Sequence, residues 1–132
     1  MTGEKDLDVL LQNMEPVLNP GEYVFCTVED LGEIPDIEKV LFFFREVEAV
    51  TIVLKKEIAD EWSKTYSYIA SWITLNIHSS LEAVGLTAAF ANALKQQNIS
   101  CNVVAAYFHD HIFIAKEDAE KALKTLHTLK MA

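Results

Sequence analysis

Apolar residues recur along the chain at helical or at alternating spacing, and this pattern predicts four helices and six strands. The apolar stripe of the first predicted helix consists of Leu7, Leu10, Leu11, Met14 and Val17. Pro16 and the Asn19-Pro20-Gly21 turn are expected to end that helix. Strands are predicted at residues 22–28, 65–77, 101–108 and 112–115, with a hairpin across residues 40–56. Further helices are predicted at residues 57–64, from Leu86 onward, and at residues 116–129.

The order of these elements indicates an α+β protein made of two related units. Residues 65–132 follow the order β-α-β-β-α, which is a ferredoxin-like unit without its final strand. Residues 1–64 begin with a helix and lack an opening strand. An unpaired sheet edge invites aggregation, so we expect each unit to complete the other, with the long strand at residues 65–77 shared or central. The prediction is two ferredoxin-like units with antiparallel sheets backed by helices.

Two further short segments carry local expectations. The acidic segment at residues 29–39 is expected to form a loop, with one helical turn after Pro35. The aromatic run Phe42-Phe43-Phe44 is expected to belong to the core rather than to a stacking platform.

Negative charge is concentrated in the first half of the chain, and this acidic surface argues against some classes of binding partner. The net charge is −9; residues 1–66 hold 15 acidic and 6 basic residues, whereas residues 67–132 hold 5 of each. This surface repels phosphate backbones, so no nucleic acid is expected as a partner. Arg45 is the only arginine, which argues against a phosphate-clamping enzyme. The absence of a long apolar run and of a signal peptide predicts no membrane association. Cys26 and Cys101, in strand-like surroundings, indicate free thiols in the cytoplasm rather than a disulfide.

The polar segment His78-Ser79-Ser80 follows the long predicted strand and precedes Gly85 and a helix. Strand, small-residue turn and helix can form a cradle of backbone N–H groups for an anion. A structural interpretation uses the same residues, because Ser80 could cap the helix by accepting from the N–H of Ala83. The sequence leaves both interpretations open.

The stretch from Leu75 to Ile114, with "HSSLEAVGLTA", "ISCNV" and "HDH", resembles the C-terminal unit of small stand-alone ACT-domain proteins and the ACT repeats of cytosolic arginine sensors. The resemblance covers roughly residues 65–130 and implies an ACT domain at 65–132 with a degenerate ACT-like unit at 1–64. It implies side-by-side pairing into a homodimer or a larger homo-oligomer, and regulation by a small effector such as an amino acid. The effector-binding residues that it implies are His78, Ser79, Ser80, Leu81, Glu82, Val84, Gly85, Leu86, Asn102, His109 and Asp110.

The segment His109-Asp110-His111 permits other interpretations. It is expected to form a tight turn in which Asp110 accepts turn N–H groups. The alternative is a metal site, with both histidines on one strand face and His78 joining them, but an isolated H-x-H is a weak signal and no metal is predicted. An enzyme using His78, His109 and Asp110 is a further alternative.

The expected function is therefore non-catalytic. Catalytic motifs with local support are absent, and no cofactor is predicted. The chain is expected to bind a small molecule for regulation. The alternative is an oligomerisation or protein-interaction module without a small-molecule ligand.

Overall fold

A computed structural model describes residues 6–76 and 84–131. In chain order its helices and strands are α1 (Leu7–Asn13), β1 (Glu15–Leu18), β2 (Tyr23–Val28), β3 (Val40–Arg45), β4 (Val50–Lys55), α2 (Lys56–Glu61), β5 (Ile69–Asn76), α3 (Leu86–Gln96), β6 (Asn102–Ala105), β7 (Asp110–Ala115) and α4 (Ala119–Met131). Contacts group the chain into unit 1, Met1–Pro20 with Ser71–Ala132, and unit 2, Gly21–Ala70. Within the described ranges, no helix is long and apolar enough to cross a membrane.

Unit 1 contains an antiparallel sheet in the order β1-β5-β7-β6. Three helices contribute to its core, which comprises Leu10, Met14, Ile73, Leu75, Leu86, Phe90, Leu94, Ile99, Ile112, Ile114, Ala122 and Leu126. The inward residues of β5 and β7 alternate with residues on the other face, because successive side chains of a strand point to opposite sides. Ile73 and Leu75 of β5 and Ile112 and Ile114 of β7 therefore face the core.

Strand β1 supplies the final strand that the β-α-β-β-α order lacks. It pairs antiparallel with β5, from Glu15 opposite Asn76 to Leu18 opposite Ile73. An ion pair between Lys130 of α4 and Glu15 adds a contact at the start of β1. The expectation that this unit takes a strand from elsewhere in the chain is confirmed, and that strand comes from residues 15–18.

The prediction that the first helix extends toward Val17 is wrong. Helix α1 ends at Asn13, and Pro16 lies inside β1. Proline lacks a backbone N–H and disfavours the helical conformation of the residue before it, but an edge strand tolerates it. In the described structure β1 pairs with β5 alone, so it is such a strand.

Unit 2 contains the strands β3-β4-β2 together with Ile69 and Ala70, the first two residues of β5. Helix α2 contributes to a core formed by Val24, Cys26, Val28, Val50, Ile52, Leu54 and Ala59. Strand β5 therefore serves both units, as the sequence predicted, although it begins at Ile69 rather than at Thr65. The predicted hairpin at residues 40–56 is confirmed by β3 and β4.

The segment between β2 and β3 forms two 3₁₀ turns, Leu31–Glu33 and Ile37–Lys39, where a loop with one helical turn was expected. Carboxylates close both turns: Glu33 accepts from the N–H of Asp30 at 3.1 Å, and Asp36 accepts from the N–H of Glu38 at 3.0 Å. Short acidic side chains compete with helical hydrogen bonding in this way. The expected turn after Pro35 is confirmed.

The aromatic run on β3 is less buried than predicted. Phe42 packs edge-on against Phe25, but Phe43 is 36% and Phe44 67% exposed. The reason is position: among the described residues β3 pairs only with β4, so its outer edge has no covering strand.

Candidate functional site

Helix α3 begins at the position that the sequence proposed for an effector-binding segment. Strand β5 ends at Asn76 and α3 starts at Leu86, so the predicted strand and the predicted helix after it are both present. Five of the predicted contact residues lie outside the described residues: His78, Ser79, Ser80, Leu81 and Glu82. The cap between Ser80 and Ala83 also lies there, and these expectations stay predictions.

Gly85 is the N-cap residue of α3 and has a left-handed backbone with φ of 93°. Its carbonyl accepts from the N–H of Ala89 at 2.9 Å, which is the first hydrogen bond of the helix. A glycine has no side chain with which to cap the N–H groups of the first turn. These N–H groups are a source of positive potential, because the helix dipole points its positive end there.

The residues beside Gly85 have contrasting environments. Val84 is 83% exposed, whereas Leu86 is 3% exposed and belongs to the core of unit 1. The side chain of Leu86 therefore anchors the start of α3 in that core. Local apolar spacing predicted Leu86 as a helix residue, but the sequence could not separate its anchoring role from ligand contact.

Strands β6 and β7 carry the remaining predicted contact residues. Asn102 is exposed on β6, and its side-chain amide donates to the carbonyl of Phe113 on β7 at 3.2 Å. Within the described ranges β6 pairs with β7 alone, so the outer backbone edge of β6 carries donors and acceptors that β7 does not use.

The prediction of a tight turn at His109-Asp110-His111 is wrong. The turn spans Ala106 to His109, closed by the N–H of Ala106 donating to the carbonyl of His109 at 3.1 Å. Asp110 starts β7 opposite Ala105, and its side chain is only 8% exposed. Burial raises the pKa of Asp110, and the positive charge of His109 partly opposes that effect. The polar residues at 109–111 suggested that they form the tip of the hairpin between β6 and β7, but the exposed aromatics Tyr107 and Phe108 occupy that tip.

His111 forms a hydrogen-bonded cluster that the sequence analysis missed. The indole N–H of Trp72 donates to Nδ1 of His111 at 3.0 Å, and Oγ1 of Thr74 lies 3.1 Å from the same nitrogen. The side-chain amide of Asn19 donates to Oγ1 of Thr74 at 2.9 Å. Trp72 and Thr74 share one face of β5 because they are two residues apart, but the register that brings His111 beside them cannot be read from the sequence.

The described residues give little support for metal binding or thiol chemistry. No group of three or more His, Cys, Asp or Glu side chains suited to a metal occurs within residues 6–76 and 84–131. The ring centroids of His109 and His111 are 6.5 Å apart, and His78, the predicted third ligand, is outside the described residues. Both cysteines are free, and burial raises the pKa of Cys101 to about 11, which keeps it a thiol at neutral pH.

Comparisons with known proteins identify two ACT units along the chain. Models of the ACT domain match residues 2–71 and 67–128. The matched ranges overlap at residues 67–71, whereas the compact units group residues 1–20 with residues 71–132. The domain boundary after residue 64 therefore stays a prediction. No curated protein matches the chain.

Solved structures show the same fold. A protein of unknown function from Vibrio cholerae, described as a possible transport protein, is 48% identical with a TM-score of 0.86, over 96% of this chain and 97% of that one. The ligand-free regulatory subunit of aspartate kinase from Thermus thermophilus is 12% identical with a TM-score of 0.65, over 87% and 97%. Aspartokinase III of E. coli, in complex with aspartate and ADP, is 13% identical with a TM-score of 0.64, over 91% of this chain and 35% of that one.

The two aspartokinase likenesses establish the fold alone, because their identities are low. The family model that matches residues 2–71 covers more than half of the chain. This chain therefore belongs to the ACT-domain family, with two ACT units whose antiparallel strands are backed by helices.

Proposed function

We propose that this chain is a non-catalytic regulatory protein that binds an amino acid at the segment between β5 and α3. Membership of the ACT family and likeness to a regulatory subunit of aspartate kinase support the regulatory role. The observation that carries the ligand proposal is the start of α3, where Gly85 provides a left-handed turn and no capping side chain.

The α-carboxylate of the ligand meets the N–H groups at the start of α3. Charge and hydrogen bonding both favour an anion at a helix N-terminus. The hydroxyls of Ser79 and Ser80, with the neighbouring residues His78, Leu81 and Glu82, form the rest of the proposed pocket. Val84, being largely exposed, is available for an apolar contact with the ligand side chain.

The ammonium group of the ligand needs acceptors, and a strand edge provides them. In this proposal the backbone carbonyls near Asn102 on β6 face the ligand from a paired ACT unit. His109 and Asp110 support that wall, and Asp110 contributes through its main chain because its side chain is buried. The near neutrality of residues 67–132, with 5 acidic and 5 basic residues, suits a zwitterion better than a diacid.

Pairing of two copies is a part of this proposal. Strand β3 has no partner besides β4 in the described structure, and Phe44 on it is 67% exposed. Val47, in the turn after β3, is fully exposed. An open strand edge with apolar side chains favours association with another strand, which here is a second copy. The proposed assembly is a homodimer or a larger homo-oligomer in the cytoplasm, where the two cysteines stay free thiols.

The alternative is an interaction module that assembles through the same edges and binds no small molecule. A thermal unfolding screen with each amino acid separates the two functions. A ligand at a hundred times its dissociation constant stabilises the folded state by about 2.7 kcal/mol, which raises the unfolding temperature clearly. If no amino acid raises the unfolding temperature at millimolar concentration, the ligand proposal is rejected and the interaction module is supported.

A further inference from the structure

The side chains of Trp72 and His111 join β5 to β7 on the sheet face of unit 1 away from its core. The indole N–H of Trp72 is 3.0 Å from Nδ1 of His111, and the two rings are tilted by 47° with centroids 5.7 Å apart. The same indole stacks on Phe113 with an interplanar angle of 14°. This directional hydrogen bond and aromatic packing both hold the indole of Trp72 in place.

The hydrogen bonds determine which nitrogen of His111 carries a proton. An indole N–H can only donate, so Nδ1 of His111 must be an unprotonated acceptor. Oγ1 of Thr74 already accepts from Asn19, and its own hydrogen is available to donate to Nδ1. The neutral imidazole therefore carries its proton on Nε2. In this state Nε2 has no lone pair for a metal ion, which argues against His111 as a metal ligand through that nitrogen.

We propose that Trp72 and His111 form a proton-operated latch between β5 and β7. A proton taken from solvent onto Nδ1 would place an N–H against the N–H of Trp72 across 3.0 Å. Thr74 adapts by rotating its hydroxyl and accepting from the imidazolium, because oxygen can donate or accept. Trp72 cannot adapt, so its indole loses its partner and moves. No covalent bond forms or breaks.

The surroundings determine the pH at which the latch opens. His111 contacts Thr74 on β5 and lies opposite Val104 on β6, and Asn19, after β1, donates to Thr74; all three of these residues are uncharged. Among the described residues, the titratable neighbour is His109, whose ring centroid is 6.5 Å away. Burial, and then the positive charge of His109, lower the pKa of His111 below its ordinary value of 6.5. The latch is closed at neutral pH and opens on the acid side of that value.

Tryptophan fluorescence reports the latch directly. The chain has two tryptophans, so Trp62→Phe leaves Trp72 as the single emitter in the full-length protein. We expect one reversible change in emission as the pH is lowered from 8, with its midpoint below 6.5. Trp72→Phe alone, which leaves Trp62, is the control for any pH response elsewhere in the chain.

Two substitutions of His111 separate the latch from general effects of acid. His111→Asn places a carbonyl oxygen near the position of Nδ1, so it keeps an acceptor for Trp72 but cannot titrate; its emission should stay in the closed form at every pH. His111→Phe keeps an aromatic ring without an acceptor, and its emission should match the acid form even at pH 8. If His111→Phe does not fold, the Asn variant and the parent still decide the result.

Nitrogen NMR of the parent protein is an independent measurement of which ring nitrogens of His111 carry a proton. We expect Nδ1 of His111 unprotonated and Nε2 protonated at pH 8, with both protonated after the fluorescence change. The proposal is overturned if Nδ1 carries the proton at pH 8. It is also overturned if the emission of Trp72 is constant across the titration, or if His111→Asn retains the transition of the parent.

Discussion

The Cδ2 atom of Leu7 lies 3.3 Å from the position that a Cβ atom would occupy on Gly85. That distance is tighter than ordinary van der Waals contact, so α1 packs against the start of α3 where glycine leaves room. The backbone at Gly85 is also left-handed, with φ of 93°. Glycine at this position is therefore required by the fold itself, whether or not a ligand approaches the helix.

Replacement of Gly85 by alanine should destabilise the protein without any ligand present. A left-handed backbone costs a non-glycine residue roughly 1–2 kcal/mol, and the contact with Leu7 adds to that cost. Gly21→Ala is the matched control, because Gly21 has φ of 100° but its added Cβ would meet Lys55 at an ordinary 3.6 Å. Urea unfolding should show a larger loss for Gly85→Ala than for Gly21→Ala. Equal losses would show that the contact with Leu7 contributes nothing.

Asp110 should reduce stability at neutral pH. Burial raises its pKa above the ordinary value of 3.8, so the folded state holds the proton more tightly than the unfolded state. Protonated Asp110 therefore favours the folded state. This contribution to stability is complete below pH 3.8 and is lost as the pH rises through the folded-state pKa, where the buried carboxyl becomes charged. Asp110→Asn should therefore raise the urea midpoint at pH 7, and the gain should shrink toward pH 3.8. Glu117→Gln, at an exposed carboxylate, is the control, and an equal gain there would point to net charge instead.

His111 should give stability the opposite dependence on pH. Its folded-state pKa is depressed, so the unfolded chain takes up a proton first as the pH falls. The stabilisation from neutral His111 is complete above 6.5 and decreases as the pH drops from 6.5 through the folded-state pKa. The urea midpoint of the parent should decrease over this range more steeply than that of His111→Asn. Parallel curves for the two proteins would contradict this dependence.

A positive charge on the open edge of β3 should prevent assembly. Phe44 is 67% exposed, so Phe44→Lys should cost the monomer little stability, whereas a lysine on an exposed edge strand opposes strand addition. Light scattering should give about twice 14.9 kDa or more for the parent and 14.9 kDa for the variant. Val9→Lys is the control, because Val9 is 40% exposed and lies on α1, away from β3 in the sequence; this variant should assemble like the parent. A parent that scatters as a 14.9 kDa monomer at all concentrations would exclude the homodimer.

Element types were largely predictable because apolar spacing reports which face of a helix or strand is buried. Leu86, Phe90 and Leu94 of α3 follow helical spacing, and all three lie in the core of unit 1. The missing final strand could be inferred from topology alone. Its location could not, because Pro16 in β1 resembles a helix terminator until the edge position of the strand is known.

The site was less predictable because it depends on pairing across long sequence separations. Trp72 and His111 are 39 residues apart, and only the neighbouring positions of β5 and β7 bring them to 3.0 Å. The polar residues His109 and Asp110 suggested a turn at their own position. Local composition cannot show that the exposed aromatics Tyr107 and Phe108 form the tip instead.

The predicted ligand contact at Ser79 can be tested by removing its hydroxyl. Gly85 is unsuitable for this test, because its substitution changes packing against Leu7. Ser79→Ala removes only a hydroxyl, and a hydrogen bond to a charged carboxylate contributes roughly 1–3 kcal/mol. Once a ligand is found, Ser79→Ala should weaken its binding in calorimetry by about 5- to 150-fold, the factor that this free energy corresponds to.

Ser100→Ala is the matched control for that measurement. Ser100 is an exposed serine between α3 and β6, at the opposite end of the helix from Gly85. The control should bind as the parent does, and both variants should unfold at the temperature of the parent when no ligand is present. If Ser79→Ala also binds like the parent, the carboxylate does not contact this hydroxyl. In that case, a loss of affinity in Ser80→Ala would keep the ligand at this segment, whereas unchanged affinity in both variants would move the ligand away from the start of α3.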